Sequence, residues 1–176
     1  MLKVLVTYIA FGLGLSSFST ESRANEFTAV AAGCMPDPVN IQANDYLVTS
    51  GSVKHQTGVT NTIHMRCPIS IVITKPTHIY LTYYDDYQCH IPGCNNHTFV
   101  TARLDNTSIT TDAPGTQYCA ASSNSGTQDG SVHKIDVVCS GLPATWDQSN
   151  YSWYLDITIT RGNTSNIAIF YGAGVY

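Results

Sequence analysis

Residues 151–161 read YSWYLDITITR, and apolar and polar side chains alternate in this stretch from Trp153 to Thr160. Successive side chains of a β-strand point to opposite faces, so the pattern predicts a half-buried strand. Its inward residues are Trp153, Leu155, Ile157 and Ile159, and its outward residues are Tyr154, Asp156, Thr158 and Thr160. A strand with one apolar face needs a second layer on that side, which favours two packed sheets.

The same period of two recurs in short runs separated by Gly, Pro, Asn and Asp, and no helical period accompanies it. The best predicted strands are Thr60 to Cys67, His78 to Tyr84, Thr98 to Asp105, Val132 to Cys139, Tyr151 to Arg161 and Asn166 to Tyr171. Weaker ones are Phe27 to Ala32, Tyr46 to Gln56, Ile69 to Thr74 and Gln117 to Ser122. The alternation points further residues inward, namely Ile79, Leu81, Tyr83, Val100, Ala102, Leu104, Ile135, Val137, Ile167 and Ile169. We therefore predict an all-β fold, a two-sheet antiparallel β-sandwich of jelly-roll type.

The N-terminus has the layout of a secretory signal peptide, with one cation at Lys3, an apolar run over residues 4–15 and small residues at Ser22 and Ala24. We expect cleavage after Ala24, which leaves a single domain over residues 25–176. A dozen apolar residues fall short of the roughly 20 that a membrane span needs. We expect a secreted, periplasmic or extracellular protein with no membrane segment after cleavage. The alternative is a lipid anchor on Cys34, which ends the small-residue run Ala31-Ala32-Gly33 but lies well beyond the apolar run.

Six cysteines, an even number in a chain with an export signal, predict three disulfides among 15 pairings. Cys89 and Cys94 bracket a His-Ile-Pro-Gly turn and are the first choice. Cys119 with Cys139 would then join neighbouring strands, and Cys34 with Cys67 would tie the N-terminal segment to the body. The alternative is a zinc site formed by Cys89, His90, Cys94 and His97, but this spacing fits no closed zinc motif. We expect no metal and no cofactor.

The chain contains several short motifs, namely Cys34-Met-Pro-Asp, Ile41-Gln-Ala-Asn, Gly51-Ser-Val-Lys, Cys67-Pro-Ile and the closing segment from Tyr151 to Arg161. In these motifs it resembles a group of short bacterial exported β-sandwich proteins that have no assigned activity. The resemblance covers most of the mature chain. It implies a sandwich fold and a Cys34–Cys67 bridge, and it supplies no catalytic residues. The Cys89 to Cys94 loop departs from the group pattern.

The charge of the chain and its carboxylates argue against two classes of function. Eight basic and twelve acidic residues give a net charge of −4, and scattered cations on an acidic surface do not attract a phosphate backbone, so we expect no nucleic acid partner. Glycosidases usually use two facing carboxylates. Asp85 and Asp86 are adjacent in a strand and point to opposite faces, so we interpret them as a solvated strand end.

The outward aromatic residues suggest a glycan-binding surface instead. Tyr80 and Tyr84 share the outward face of one strand, and Tyr154 occupies that of another, with Phe99 as a further candidate. Exposed rings can stack on sugars while Asp and Thr side chains bind hydroxyls. The hypothesis is that Tyr80, Tyr84, Tyr154 and Asp156 bind glycan or a cell-surface component in a non-enzymatic, structural or binding protein. The alternative is a secreted hydrolase using aspartates at a strand edge, which would bring two carboxylates together and raise a pKa.

Overall fold

The computed structural model describes residues 26–37, 45–69, 74–86, 98–108 and 116–176. These ranges form eleven strands: β1 (Phe27–Val30), β2 (Met35–Pro36), β3 (Tyr46–Thr49), β4 (Ser52–His55), β5 (Thr62–Pro68), β6 (His78–Asp85), β7 (Phe99–Ser108), β8 (Gln117–Ser122), β9 (Val132–Val138), β10 (Tyr151–Thr160) and β11 (Ala168–Val175). Three predictions lie outside the described residues: the signal peptide, the Cys89 to Cys94 loop with its zinc alternative, and most of the strand Ile69 to Thr74.

The strands form two antiparallel sheets. The six-stranded sheet has the order β3-β4-β11-β6-β9, with β1 also paired to β11, and the five-stranded sheet has the order β2-β5-β10-β7-β8. Each sheet alternates between distant parts of the chain, as sandwiches of jelly-roll type do. The predicted fold class, an all-β two-sheet antiparallel sandwich of jelly-roll type, is confirmed.

The core lies between the sheets and is built by the predicted alternation. The inward residues of β10 are between 0% and 3% exposed, and those of β6 and β7 are fully buried. Ile135 and Val137 of β9 are half-buried and pack against this core. Burying each large aliphatic side chain contributes about 1.5–3 kcal/mol, so a central strand such as β10 fixes its own orientation.

The last strand has the opposite phase to the prediction. Ile167 is 40% exposed, Ile169 faces outward, and Ala168 and Phe170 occupy the core. The run Ile-Ala-Ile-Phe-Tyr contains no polar residue that would set the phase, and the larger Phe170 side chain takes the buried position. A bulge between Phe170 and Gly172 then changes the register of β11.

The predicted strand Tyr46 to Gln56 is two strands. β3 and β4 pair as a hairpin across Ser50 and Gly51, whose φ values are 49° and 82°. Two successive residues with positive φ match a type I′ turn, which suits the right-handed twist of a hairpin. The Ser-Gly pair is therefore the signal that divides this segment.

Two of the three predicted disulfides are observed. Cys34 pairs with Cys67, so the Cys34 sulfur is not available for a lipid anchor. This bridge fastens the chain where it crosses from β1 in one sheet to β2 in the other. Cys119 pairs with Cys139 as predicted, but it joins β8 to the end of β9 and so links the two sheets, not neighbouring strands of one sheet.

Tyr80 lies over Gly174 on the outer side of the six-stranded sheet. A Cβ atom on Gly174 would lie 2.6 Å from the Tyr80 ring and closer still to the Phe27 carbonyl oxygen. A glycine without positive φ is thus required here because a ring and a neighbouring strand approach its backbone.

Gly174→Ala should lower the free energy of unfolding by about 1–3 kcal/mol, because the new methyl group must push β1 or Tyr80 away. Gly33→Ala is the matched control, since its Cβ would meet only Val30 Cγ2 at 3.8 Å. Urea unfolding of both variants measures the difference. Equal midpoints for the two variants would contradict this packing.

Candidate functional site

The outward face of the five-stranded sheet carries a band of polar and aromatic side chains centred on β10. The strand register places Asp156 between Arg66 of β5 and Arg103 of β7, and places Tyr154 between Pro68 and Asp105. Tyr154 and Asp156 are two of the four predicted site residues, and the structure brings them side by side on the predicted outward face.

Arg103 and Asp156 form an ion pair across β7 and β10. Arg103 Nη2 donates a hydrogen bond to Asp156 Oδ2, and the two side chains are 34% and 15% exposed. Burial alone would lower the pKa of Arg103, but the hydrogen bond and the negative charge of Asp156 raise the pKa above its ordinary value. The pair therefore holds both side chains in fixed positions on this face.

Tyr154 is half-buried beside this pair. The Arg66 guanidinium carbon lies 5.3 Å from the centroid of the Tyr154 ring, a cation–π distance. The Thr107 hydroxyl donates to the Tyr154 hydroxyl at 3.4 Å. These contacts fix the ring next to one exposed cation and one hydroxyl group.

Asp105 is a further acidic residue at this face, opposite Tyr154. In the sequence it is the last residue of the predicted strand Thr98 to Asp105. It is 9% exposed, and its Oδ1 has no hydrogen-bond partner in the described residues. Burial raises the pKa of Asp105 to about 6; the charge of Asp156 acts in the same direction, and the charges of Arg103 and Arg66 oppose it. Leu104 and Asn106, the sequence neighbours of Asp105, give no signal of this burial, because Tyr154, which lies across the strand from Asp105, comes from β10.

Toward the other end of β10 the face carries hydroxyl groups. Thr158 lies between His64 and Thr101, and Thr160 lies between Thr62 and Phe99. The hydroxyls of Thr62 and Thr160 are 3.3 Å apart. Phe99 is opposite Thr160, which is six positions from Tyr154 in β10, and six positions correspond to about 20 Å along a strand. We call this band from Tyr154 to Phe99, including Asp105, Asp156 and both arginines, the outer strip.

The other two predicted site residues lie on the opposite side of the molecule. Tyr80 and Tyr84 belong to β6 in the six-stranded sheet, so the structure divides the predicted four-residue platform between two outer faces. The sequence pattern identified outward positions correctly, but it could not show which sheet each strand joins.

Tyr80 is also not an exposed ring. It is 5% exposed, its hydroxyl is hydrogen-bonded to the Thr28 hydroxyl, and Lys134 Nζ lies 4.0 Å from its ring centroid. Burial raises the pKa of Tyr80, although the hydrogen bond to Thr28 acts in the opposite direction. Tyr84 is half-buried between Val132 and Ile169. Tyr80 therefore packs as part of the sheet, and Tyr84 alone of the two offers accessible ring surface.

The interpretation of Asp85 as solvated is wrong. Asp85 is fully buried, and its Oδ2 accepts hydrogen bonds from Ser123 Oγ at 2.6 Å and Gln128 Nε2 at 3.1 Å. The Ser123 hydroxyl also accepts from the Val100 amide at 3.0 Å. This network connects the end of β6 to β7 and to the segment after β8, so Asp85 serves packing in the part of the chain described.

No group of three or more potential metal ligands is found within the described ranges. In the same ranges, no helix has the length and apolar character that a membrane crossing requires. 

Comparisons with known proteins give structural similarity alone. No protein-family model matches the chain, and no curated protein matches it. A low-affinity xylan-binding module from the gut symbiont Roseburia intestinalis is 11% identical, with a TM-score of 0.46 and coverage of 86% of this chain and 94% of that one. The xylan-binding module CBM15 is 10% identical, with a TM-score of 0.47 and coverage of 83% and 95%. The CBM36-1 domain of a multidomain xylanase from the hindgut metagenome of Trinervitermes trinervoides is 12% identical, with a TM-score of 0.44 and coverage of 86% and 97%.

Asp105→Asn should stabilise the protein at pH 7, whereas Asp156→Asn should destabilise it. When burial raises the folded-state pKa of a carboxyl, the protein loses stability as the pH rises from the unfolded-state pKa near 3.8 to the folded-state pKa of about 6. The loss persists at higher pH. We expect a gain on the order of 1 kcal/mol for Asp105→Asn at pH 7, which vanishes below about pH 4. Asp156→Asn leaves Arg103 without its acid and should lose about 1 kcal/mol.

Chemical unfolding at pH 4 and pH 7 measures both effects on one face of one sheet. A destabilised Asp105→Asn variant at pH 7 would contradict the raised pKa of Asp105.

Proposed function

We propose that the protein is an exported, non-enzymatic carbohydrate-binding module and that the outer strip is its binding face. The observation that carries the proposal is the arrangement of the strip: an aromatic ring at each end and a continuous row of hydrogen-bonding side chains between them. Two disulfides support a place of action outside the cytoplasm, since disulfides persist in oxidising compartments.

The distribution of chemistry along the strip suits an extended saccharide. Tyr154 and Phe99, about 20 Å apart, offer apolar ring surface for stacking. Between them, Asp156 accepts hydrogen bonds from sugar hydroxyls, and Thr158 and Thr101 both donate and accept. The exposed Arg66 guanidinium can move off the Tyr154 ring and donate to a bound sugar.

The ion pair of Arg103 and Asp156 supports binding rather than chemistry. A carboxylate already bonded to a guanidinium is held in one orientation, and its second oxygen and the remaining N–H groups of Arg103 present a fixed hydrogen-bonding pattern. Preorganised polar groups lower the ordering cost of association, which matters for a ligand as flexible as a polysaccharide.

Affinity electrophoresis against a panel of neutral and acidic polysaccharides tests the proposal. Wild type should be retarded by at least one polymer, and Tyr154→Ala and Asp156→Asn should each weaken retention about tenfold, which corresponds to about 1.4 kcal/mol. Tyr84→Ala is the matched control, because it removes a half-buried tyrosine from the opposite sheet. Retention lost in Tyr84→Ala but kept in Tyr154→Ala would move the site to the other face, and no retardation of wild type by any polymer would refute glycan binding.

A second candidate function is glycoside hydrolysis, and Asp105 is the observation that favours it. A carboxyl with pKa about 6 that lies diagonally across from a second carboxylate has the character of an acid and base pair. The pairing of Asp156 with Arg103 opposes this function, since the partner carboxylate is not available as a nucleophile.

Release of reducing sugar from any polymer that binds distinguishes the two functions. We expect no release above the buffer background between pH 5 and pH 7, and identical traces for wild type and Asp105→Asn. Release by wild type that disappears in Asp105→Asn while binding remains would establish the hydrolase.

A further inference from the structure

A cavity of about 240 Å³ lies on the six-stranded sheet, where β3 and β4 meet the segment between β10 and β11. Its polar lining residues are Lys54, His55, Thr57, Arg161, Thr164 and Ser165. It belongs to the other sheet than the outer strip, and neither the predicted site nor the proposed function uses any of these residues. The volume suits a ligand the size of a single sugar ring.

Arg161 brings an uncompensated positive charge to this cavity. It is 8% exposed, and its hydrogen bonds go to five backbone carbonyls, those of Gln56, Val59, Asn163, Thr164 and Asn166. Carbonyl oxygens satisfy N–H groups but do not cancel a net charge. Nε donates to two of these carbonyls, Nη1 donates to two others, and Nη2 donates to the fifth. One N–H group of Nη2 therefore has no acceptor among the described residues.

His55 carries an unsatisfied acceptor that is buried behind the wall of the cavity. It follows Lys54 directly in β4, so its side chain points to the inner face of the sheet, away from Lys54. Its Nε2 lies 3.0 Å from the Asn61 carbonyl oxygen, and a carbonyl can only accept, so Nε2 carries the proton. Burial lowers the pKa of His55; the charge of Arg161 lowers it further, while the hydrogen bond to Asn61 and the charge of Asp45 raise it. The ring is therefore neutral at pH 7, and Nδ1 is a lone-pair acceptor that is buried without a partner in the described chain.

Lys54 adds a second cation at the wall of the cavity, and the hydroxyls of Thr57, Thr164 and Ser165 line the same space. The lining residues include two cations and no acid. Two acids lie outside the lining: Asp45, whose charge acts on His55, and Asp86, whose Oδ1 accepts a hydrogen bond from the Ile167 amide at 2.6 Å. Leu47 and Ile167 supply apolar surface. Two cations, three hydroxyls and an apolar wall are together complementary to a ligand with a carboxylate, hydroxyl groups and an aliphatic ring.

We propose that this cavity is a second binding site and that it takes a small hydroxylated carboxylate of the sugar-acid class, with the carboxylate toward Lys54 and Arg161 and its hydroxyls toward Thr57, Thr164 and Ser165. The site does not rest on glycan binding by the outer strip. The ligand is either a free sugar acid or a uronic acid residue of a polymer, which share this chemistry.

Titration calorimetry with sodium glucuronate tests the site, with glucose and acetate as probes that each lack one half of the chemistry. Glucuronate should bind at least tenfold more tightly than glucose, which has the same ring without the carboxylate, and more tightly than acetate, which has no hydroxyls. Equal affinities for glucuronate and glucose would overturn the proposal. A parallel titration with polygalacturonate and free galacturonate separates the two sources. A higher affinity per sugar residue for the polymer than for free galacturonate identifies the polymer as the ligand.

Variants test the roles of the two side chains. Lys54→Met should weaken glucuronate binding at least fivefold, and Lys134→Met is the control, because Lys134 is on the same sheet but lies over Tyr80. Thr164→Val removes one lining hydroxyl and leaves both cations, so it should weaken glucuronate binding while leaving acetate binding unchanged.

Tyr154→Ala separates this site from the outer strip, since it should leave glucuronate binding unaffected. Binding that survives Lys54→Met but is lost in Tyr154→Ala would place the ligand on the outer strip and overturn the cavity. Because Lys54 is a half-buried outward residue of a short strand, we expect its variant to fold.

Discussion

The alternation of side chains along β10 is the constraint on which the core and the outer strip both depend. A shift of one residue would expose Trp153 and bury Asp156 between the sheets. The first change forfeits a large apolar burial, and the second removes a charged carboxylate from water, so the two penalties reinforce each other. The register that fills the core therefore also fixes which side chains face outward and in what order.

The same register gives the two acidic residues of the outer strip different environments. Asp156 lies opposite Arg103 and has a cationic partner, whereas Asp105 lies opposite Tyr154 and has none across the strand. Desolvation thus raises the pKa of Asp105, while the hydrogen bond from Arg103 fixes the position of the Asp156 carboxylate. A buried acceptor without a partner costs free energy, whereas one that is already bonded does not, which makes Asp105 the costlier of the two positions for the fold.

The sequence predicts what depends on local alternation and fails where a long-range choice decides. The faces of β6, β7 and β10 follow from short-range alternation. The Cys34–Cys67 and Cys119–Cys139 pairs, 33 and 20 residues apart, are preferences among 15 pairings once Cys89–Cys94 is taken first, and the resemblance also implies the Cys34–Cys67 bridge. The separation of Tyr80 from Tyr154 does not follow from alternation, because both are outward residues and only strand order assigns them to different sheets. In β11 an all-apolar run carries no phase, so the competition between Ile169 and Phe170 for the core is settled by packing across the sandwich.

Buried polar groups were the least predictable class, for a related reason. Asp85, Asp105 and Arg161 are each ordinary surface types by composition, and each is covered by segments distant in sequence. Ser123 and Gln128 bond to Asp85, and the carbonyls of residues 56 and 59 bond to Arg161, whereas Asp105 lies opposite Tyr154 of β10. The three differ in how completely these partners satisfy them. Asp85 accepts two hydrogen bonds at a single oxygen, Arg161 keeps a net charge, and Asp105 keeps an unpaired oxygen.

The overall charge limits how such groups can select a ligand. With a net charge of −4, the protein as a whole does not attract an anion from a distance, and charges are screened beyond about 8 Å at physiological ionic strength. An anionic ligand must therefore be recognised at contact, where the positive charges of Lys54 and Arg161 act in a partly desolvated cavity and are screened less. Neutral saccharides are not subject to this repulsion, and at the outer strip the arginines are balanced by Asp105 and Asp156. Short-range complementarity, not electrostatic steering, thus separates what each of the two surfaces can bind.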